Sequence, residues 1–333
     1  MSTEEQIQSF RRTYAALRSE IGKVIVGNDE IVEGTLIAIF AGGHVLLEGV
    51  PGLGKTLLVR TLSEVLDLTF NRIQFTPDLM PADILGTNLV VENPDGRREF
   101  QFQRGPIFAH IILADEINRA TPKTQSALLE AMQEKQVTAA GEVRRLAEPC
   151  FVLATQNPID QEGTYPLPEA QLDRFFFKLL VDYPSAAELT EVLNRTTESA
   201  KAQVNKVLAG AALMELQGLV REVPVASHVK DYAVRLVLAT HPKTETAAPI
   251  ANQYLRFGSS PRGGQALVLA GKVRALTQGR FNVSFDDIQA VAAATLRHRL
   301  ILNFEAEAEA VTTDHIIAQI LQDVPRDTAA VAA

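Results

Sequence analysis

An α/β fold, in which helices cover both faces of a parallel sheet and a smaller helical domain follows, is predicted by three features of the sequence. Continuously apolar runs, such as Val45-Leu46-Leu47 and Ile111-Ile112-Leu113-Ala114, alternate with helical patterns as far as Val181. Strands buried on both faces read this way. A glycine-rich turn joins the first such strand directly to a helix. After Tyr183-Pro184 the periodicity turns helical almost throughout. The boundary is therefore expected at about 183, with residues 1–183 as the α/β core and 184–333 as an all-α domain.

The elements follow in order. Ile7, Phe10, Tyr14, Leu17 and Ile21 recur at a spacing of three and four, predicting an amphipathic helix over 5–21. A second helix over about 29–41 stops at Gly42-Gly43, a C-cap signal. His44 to Glu48 is a strand, the helix after the glycine-rich turn runs to about Leu66, and Phe70 to Phe75 alternates as a strand. Thr87–Glu92 and Arg98–Gln103 alternate around Asn93-Pro94-Asp95-Gly96, a hairpin signal. Ile111 to Ala114 is a buried strand and Thr124 to Gln133 a helix. Val137-Thr138 and Val143–Leu146 flank Gly141 as a second hairpin, and Phe151–Thr155 and Phe175–Val181 are further strands. The helical part breaks near Pro224, Pro242 to Pro249 and Gly279. Phe285 to Leu302 is expected as one helix, capped by Ser284 with Asp286 and Asp287 in its first turn. Residues 325–333 are expected to fray.

Composition excludes several classes. With 333 residues, 46% apolar and 22% charged, the chain has ordinary globular usage and is long enough for two domains. The net charge of −8 has the wrong sign for a chain that grips phosphate backbones, and the Arg pairs at 11–12, 97–98 and 144–145 are scattered, so no nucleic-acid partner is expected. The one cysteine, Cys150, cannot close a disulfide within the chain or build a thiolate metal centre, and the six histidines lack metal-ligand spacing. The first twenty residues lack the apolar core of a signal peptide, and no apolar run is long enough for a bilayer. A cytoplasmic protein without direct membrane insertion is expected.

Three segments carry chemistry. Gly49-Val50-Pro51-Gly52-Leu53-Gly54-Lys55-Thr56 fits G-x-x-x-x-G-K-[ST]. Its glycines let successive N–H groups curl around a polyphosphate, Lys55 reaches the outer phosphates, and Thr56 offers a hydroxyl to Mg²⁺. The helix behind it, beginning with Lys55, Thr56 and Leu57, adds its N-terminal dipole. The candidate nucleotide contacts are Val50, Pro51, Gly52, Leu53, Gly54, Lys55, Thr56 and Leu57. The second segment is the strand ending in Asp115-Glu116, since adjacent carboxylates at the end of a buried strand need a reason. Asp115 holding Mg²⁺ through its water shell and Glu116 orienting or deprotonating the attacking water supply one. Capping of the next helix by the two acids is the bland alternative. The third is Phe151 to Pro158, another strand running into polar residues. Asn157 there can donate to the γ-phosphate or the lytic water, or form an Asx-turn before Pro158. All three lie at strand carboxyl ends, where open parallel sheets bind ligands.

GVPGLGKT, ILADEINRA, LATQNP and LPEAQLDRF, in this order and spacing, resemble the AAA+ ATPases and within them the MoxR family, over about residues 5–320. The resemblance implies an ATP- and Mg²⁺-dependent hydrolase, usually hexameric, with chaperone-like action and partners that often carry a von Willebrand factor A domain. It implies that residues 78–109 are the helix-2 insertion and 135–147 the hairpin before sensor 1, both pointing to a central channel. It makes Arg174 the finger that reaches a neighbour's γ-phosphate and Arg262 the sensor 2 residue, acting on its own or the neighbouring nucleotide. Val26-Gly27 matches the adenine-contacting stretch. On the residues alone, Arg174 could instead be a basic side chain at a helix C-terminus, and Arg262 could be offset by a nearby Glu. A non-hydrolysing nucleotide switch or scaffold, and a nucleic-acid motor, are the alternative functions.

Overall fold

The computed structural model describes residues 2–92, 94–158, 164–197 and 202–326. Helix α1 (Thr3–Gly22) buries the predicted stripe Ile7, Phe10, Tyr14, Leu17 and Ile21, and Ser2 and Glu5 close a capping box at its start. Helix α2 (Asp29–Ala41) ends at Gly42, which takes φ +75° as a left-handed C-cap. Then follow β1 (Val45–Glu48), α3 (Lys55–Val65), β2 (Phe70–Gln74) and the short α4 (Pro81–Leu85). An antiparallel hairpin, β3 (Gly86–Glu92) with β4 (Arg98–Arg104), stands apart from the sheet. Asn93 of its predicted turn lies outside the described residues. Next come β5 (Ile111–Asp115), α5 (Pro122–Glu134) and the hairpin β6 (Gln136–Ala139) and β7 (Glu142–Arg145). Ala140 and Gly141 turn this hairpin with φ of +56° and +82°, the left-handed pair that a tight two-residue turn requires. Strand β8 (Phe151–Gln156), α6 (Glu169–Leu172) and β9 (Phe177–Leu180) complete this part.

The sheet runs β2-β5-β8-β1-β9, and every pairing in it is parallel. Alternate residues of its buried strands feed two cores, as the period of two demands. Val45, Leu47, Ile111, Leu113, Phe151 and Leu153 face one cluster; Leu46, Ile112, Ala114, Val152 and Ala154 face the other. The order also sets the chemistry. Strands β1, β8 and β5 are neighbours, so the segments that leave their carboxyl ends emerge side by side.

The rest is α7 (Ala186–Thr197), α8 (Gly210–Glu222), α9 (Ser227–Ala239), α10 (Pro249–Tyr254), β10 (Leu255–Phe257), α11 (Pro261–Thr277), α12 (Phe285–Leu296), β11 (Ile301–Leu302), α13 (Phe304–Ala308) and α14 (Thr313–Asp323). Helices α8, α9, α11 and α12 share the first apolar cluster with α1 to α3. Two expectations are corrected here. The second half is not purely helical, because β10 and β11 form a short antiparallel ladder. The helix expected over 285–302 stops at Leu296. His298 and Arg299 leave the helical path to bond the carbonyls of Phe175 and Phe176, and the same contacts delay β9 to Phe177. Leu300, also buried, keeps the spacing of four from Leu296 and so hides the helix end. Of the tail expected over 325–333, residues 327–333 lie outside the described residues.

The start of α12 follows its sequence. Ser284 and Asp287 form a capping box, and Arg280 grips Asp287 with bonds of 2.7 and 2.9 Å. Burial would raise the Asp287 pKa, but the bonds from Arg280 and Ser284 outweigh it and hold the carboxyl below its ordinary value. This stability is present above the unfolded pKa and is lost as pH falls through the lower folded one. Asp287→Ala is expected to cost about 1–3 kcal/mol, read as a lower Tm at neutral pH by calorimetry, with the gap from the parent closing in acid.

Candidate active site

The loop between β1 and α3 folds as its glycines dictate. Gly52 and Gly54 take φ of +87° and +76° with nothing crowding the position of a Cβ, so backbone conformation alone demands glycine there. Gly49 is needed for closeness instead, since a Cβ would lie 2.6 Å from the Val181 carbonyl oxygen. Lys55 Nζ donates to the carbonyls of Gly49 and, at 2.9 Å, Val50. Burial lowers the Lys55 pKa, and the charges of Asp115 and Glu116 partly offset that.

Asp115 and Glu116 leave the carboxyl end of β5. Thr155 Oγ1, in β8, donates to Asp115 Oδ1 at 2.6 Å and accepts from the Glu116 N–H at 2.8 Å. One side chain thus fixes both acids. Glu116 adopts φ +56°, turning the chain sharply after the strand, and its carboxylate accepts from Gln74 at 3.1 Å with Arg119 at 3.3 Å. Arg72 Nη2 pairs with Asp115 Oδ2 at 2.6 Å. The bland reading of the acids as helix caps fails geometrically. Glu116 precedes only a one-turn 3₁₀ helix, Ile117–Arg119, and makes no side-chain cap there.

A cavity of about 380 Å³ unites Pro51, Gly52, Gly54, Lys55, Thr56 and Leu57 with Asp115, Glu116 and Asn157. A second cavity of about 450 Å³ opens on the other side of the loop and shares Gly52, Gly54, Lys55 and Leu57 with the first. Its walls are mainly apolar: Val26, Ile31, Leu53, Leu58, Tyr183, Leu189 and Val192. A polar half and an apolar half meeting over one glycine-rich loop match a nucleotide, phosphates on one side and base on the other. Thr56 and Asp115 bring a hydroxyl and a carboxylate to the polar half, the hard oxygen donors that suit Mg²⁺. Among the described residues no group of three or more His, Cys, Asp or Glu is placed to hold a metal ion.

Two predicted contacts lie beside the cavities rather than in them. Val50 gives only its carbonyl, to Lys55. Gly27 takes φ +64° beside α7, so the backbone conformation there favours glycine, and a Cβ would also meet the Glu188 side chain. Sequence reasoning missed Arg72, Gln74 and Thr155 in the polar half and Tyr183, Leu189, Val192 and Arg195 in the apolar half. A signal for the latter existed. The cavity straddles the Tyr183-Pro184 boundary, and ligand sites favour such junctions.

Arg174 and Arg262 are together, but elsewhere. Both line a cavity of about 210 Å³ with Gly42, Gly43 and His44, at the amino end of β1, whereas the glycine-rich loop leaves its carboxyl end. At about 3.3 Å per residue, the five steps from His44 to Gly49 span roughly 16 Å. Arg174 follows the one-turn α6 and donates Nη1 to the Leu129 carbonyl at 2.6 Å, while its Nε is buried without a partner. Arg262 does fall in the first turn of α11, behind the N-cap Ser260 and Pro261. The nearby carboxylate is Asp173, 3.9 Å from Arg262 Nε; it also accepts from Ser260 Oγ at 2.7 Å and from Arg299 Nε at 2.9 Å. Burial lowers the Arg299 pKa to about 10 and Asp173 opposes the shift, so Arg299 keeps its charge at neutral pH.

Comparison with known proteins agrees with this layout. Residues 44–177 match the family model "ATPase family associated with various cellular activities (AAA)", and 247–320 match an AAA lid domain. Chaperone MoxR1 of Mycobacterium tuberculosis is 44% identical over 305 residues, 92% of this chain and 80% of that protein. The uncharacterized protein YeaC of Bacillus subtilis is 45% identical over 307 residues, 91% of this chain and 92% of its own length. The crystal structure of a candidate ATPase from Cytophaga hutchinsonii superposes with a TM-score of 0.90 at 43% identity, covering 97% of both chains. No helix among the described residues is long and apolar enough to cross a membrane. A loop built for phosphates, paired carboxylates beside it and relatives that share nearly its whole length place this chain in the MoxR family of AAA+ ATPases.

Proposed function

We propose that the chain hydrolyses ATP to ADP and phosphate in a Mg²⁺-dependent reaction and, assembled as a homo-oligomeric ring of six subunits, uses it to remodel or mature partner proteins, among them one bearing a von Willebrand factor A domain. Residues 1–183 would form the core and 184–333 the lid. One observation carries the reading: the glycine-rich loop, Asp115-Glu116 and Asn157 converge on a single cavity, and an apolar cavity of about 450 Å³ adjoins it across the shared Gly52, Gly54, Lys55 and Leu57.

The roles follow from position. The backbone N–H groups of residues 50–57 hold the phosphates, with Lys55 as their cation. The base packs against Val26, Leu53 and the face of α7. Thr56 and Asp115 would hold Mg²⁺, which neutralises charge on the phosphates when bound. Glu116 takes the proton of the attacking water on Oε1, since Gln74 and Arg119 both hold Oε2. Asn157, 8% exposed at the end of β8, orients that water or the outermost phosphate. Arg174 and Arg262 are too far from their own loop to serve it, which supports action on a neighbour's nucleotide for both. The hairpins β3–β4, within the 78–109 insertion, and β6–β7, within 135–147, expose Val90, Phe100 and Val143 to whatever passes the ring. A cytoplasmic setting accords with the single cysteine.

Lys55→Ala should lose measurable nucleotide binding, since the loop's only cation goes and charged hydrogen bonds are each worth about tenfold or more. Titration calorimetry with ADP and Mg²⁺ checks it; near-parental affinity would remove the loop from the site. Mg²⁺-dependent phosphate release by the parent tests the reaction itself.

A further inference from the structure

Arg72 makes contacts that the reaction outlined above leaves unused. It lies in β2, the edge strand paired with β5, two residues before Gln74, whose register partner is Asp115. Both Nη2 and Nε of Arg72 donate to Asp115 Oδ2, at 2.6 and 3.1 Å, and Nη2 also donates to Gln74 Oε1 at 2.6 Å. Gln74 therefore fixes the fork in place. The other oxygen of Asp115 accepts from Thr155. The carboxylate suited to a metal thus carries an organic cation on one oxygen and a hydroxyl on the other.

Exposure separates this pair from the structural ones. Arg299, against Asp173, has a side chain only 2% exposed and bonded to carbonyls on every side, so it cannot leave. Arg72 is 48% exposed while Asp115 is 13% exposed. The guanidinium reaches inward from the rim and can swing into water, provided that a metal ion takes its place beside the mostly buried Asp115 carboxylate. A divalent ion drawn to Asp115 meets a second positive charge within a few ångströms, and like charges there raise its free energy.

We propose that Arg72 is a resident counter-cation of the magnesium site, competing with the metal for Asp115 and so setting how strongly nucleotide binding depends on magnesium. This rests on the nucleotide-binding reading above. In that role Arg72 holds the acidic site neutral until a nucleotide arrives with its metal, and favours the metal–nucleotide complex over free metal.

The test needs no turnover. ADP binding to the full chain is measured by calorimetry with EDTA and with saturating Mg²⁺, and the ratio of the two Kd values gives the magnesium dependence. Arg72→Met removes the cation but keeps the stem. The ratio should then rise about three- to tenfold, the span between an exposed ion pair and a charged hydrogen bond. Arg72→Gln is the second neutral variant should the first not fold, judged by circular dichroism. Arg72→Lys keeps the charge and should keep the parental ratio. An unchanged or smaller ratio in the neutral variants overturns the inference, a smaller one making Arg72 a helper of the metal. A parent that binds no ADP in either condition overturns the nucleotide reading itself, and the inference with it; normal binding with an unmoved ratio sinks the inference alone.

Discussion

Glu116→Gln should bind nucleotide like the parent and turn it over about 10²–10⁴ times more slowly, the usual contribution of a general base. The expectation rests on how the residue is held. Its backbone is fixed by the bond from its own N–H to Thr155 Oγ1 and by a left-handed turn at φ +56°. Neither depends on the side-chain charge. An amide of the same shape keeps a carbonyl oxygen for Gln74 but cannot take a proton. Asp115, Thr155, Lys55 and the loop are untouched, so ground-state binding persists and the loss falls on kcat rather than KM. Phosphate release at saturating ATP, beside calorimetry with ADP, separates the two quantities. Turnover within about tenfold of the parent would mean that another group activates the water.

The polar half of this site was legible in the sequence because its requirements are local. A loop that must take φ +87° and +76° at two positions needs glycine at both, and the spacing of Gly52, Gly54, Lys55 and Thr56 records that. Asp115-Glu116 was legible for the opposite reason, being acids where a buried strand should have stayed apolar. The apolar half left a weaker record. Val26 and Leu53 stood among the expected contacts, but Tyr183, Leu189 and Val192 are ordinary side chains that meet them only when the chain is folded, and apart from the nearby domain boundary nothing local distinguishes them from core. Arg72 and Gln74 looked like the solvent face of an alternating strand, and only the pairing of β2 with β5 turns that face toward Asp115. Arg299 was hidden by periodicity. Leu296 and Leu300 hold helical spacing across a segment where the backbone has already left the helix for the carbonyls of Phe175 and Phe176. Tertiary contacts decided each of these, and a single sequence does not carry them.

Arg174→Ala should leave nucleotide binding intact and lower hydrolysis by about 10³–10⁵, the worth of an arginine that stabilises charge developing on a transferred phosphoryl group. Its position makes the trans reading specific. Arg174 shares a cavity with Arg262 at the amino end of β1, and the glycine-rich loop lies at the other end of the strand. Its Nη1 is spent on the Leu129 carbonyl and its Nε is buried with no acceptor, so the guanidinium must reorient before it can meet a phosphate from outside the chain. If that phosphate belongs to a neighbouring subunit, two dead variants should repair one another. Mixed with Lys55→Ala protein, Arg174→Ala subunits keep a working loop and borrow the partner variant's intact arginine, so phosphate release should reappear. Within one chain no such repair is possible. The mixture is compared with each variant alone, after co-assembly has been verified by size-exclusion chromatography with a tag on one variant. Co-assembled rings that stay as inactive as their components would return Arg174 to a structural role, tying the Asp173–Phe176 segment to α5 through Leu129.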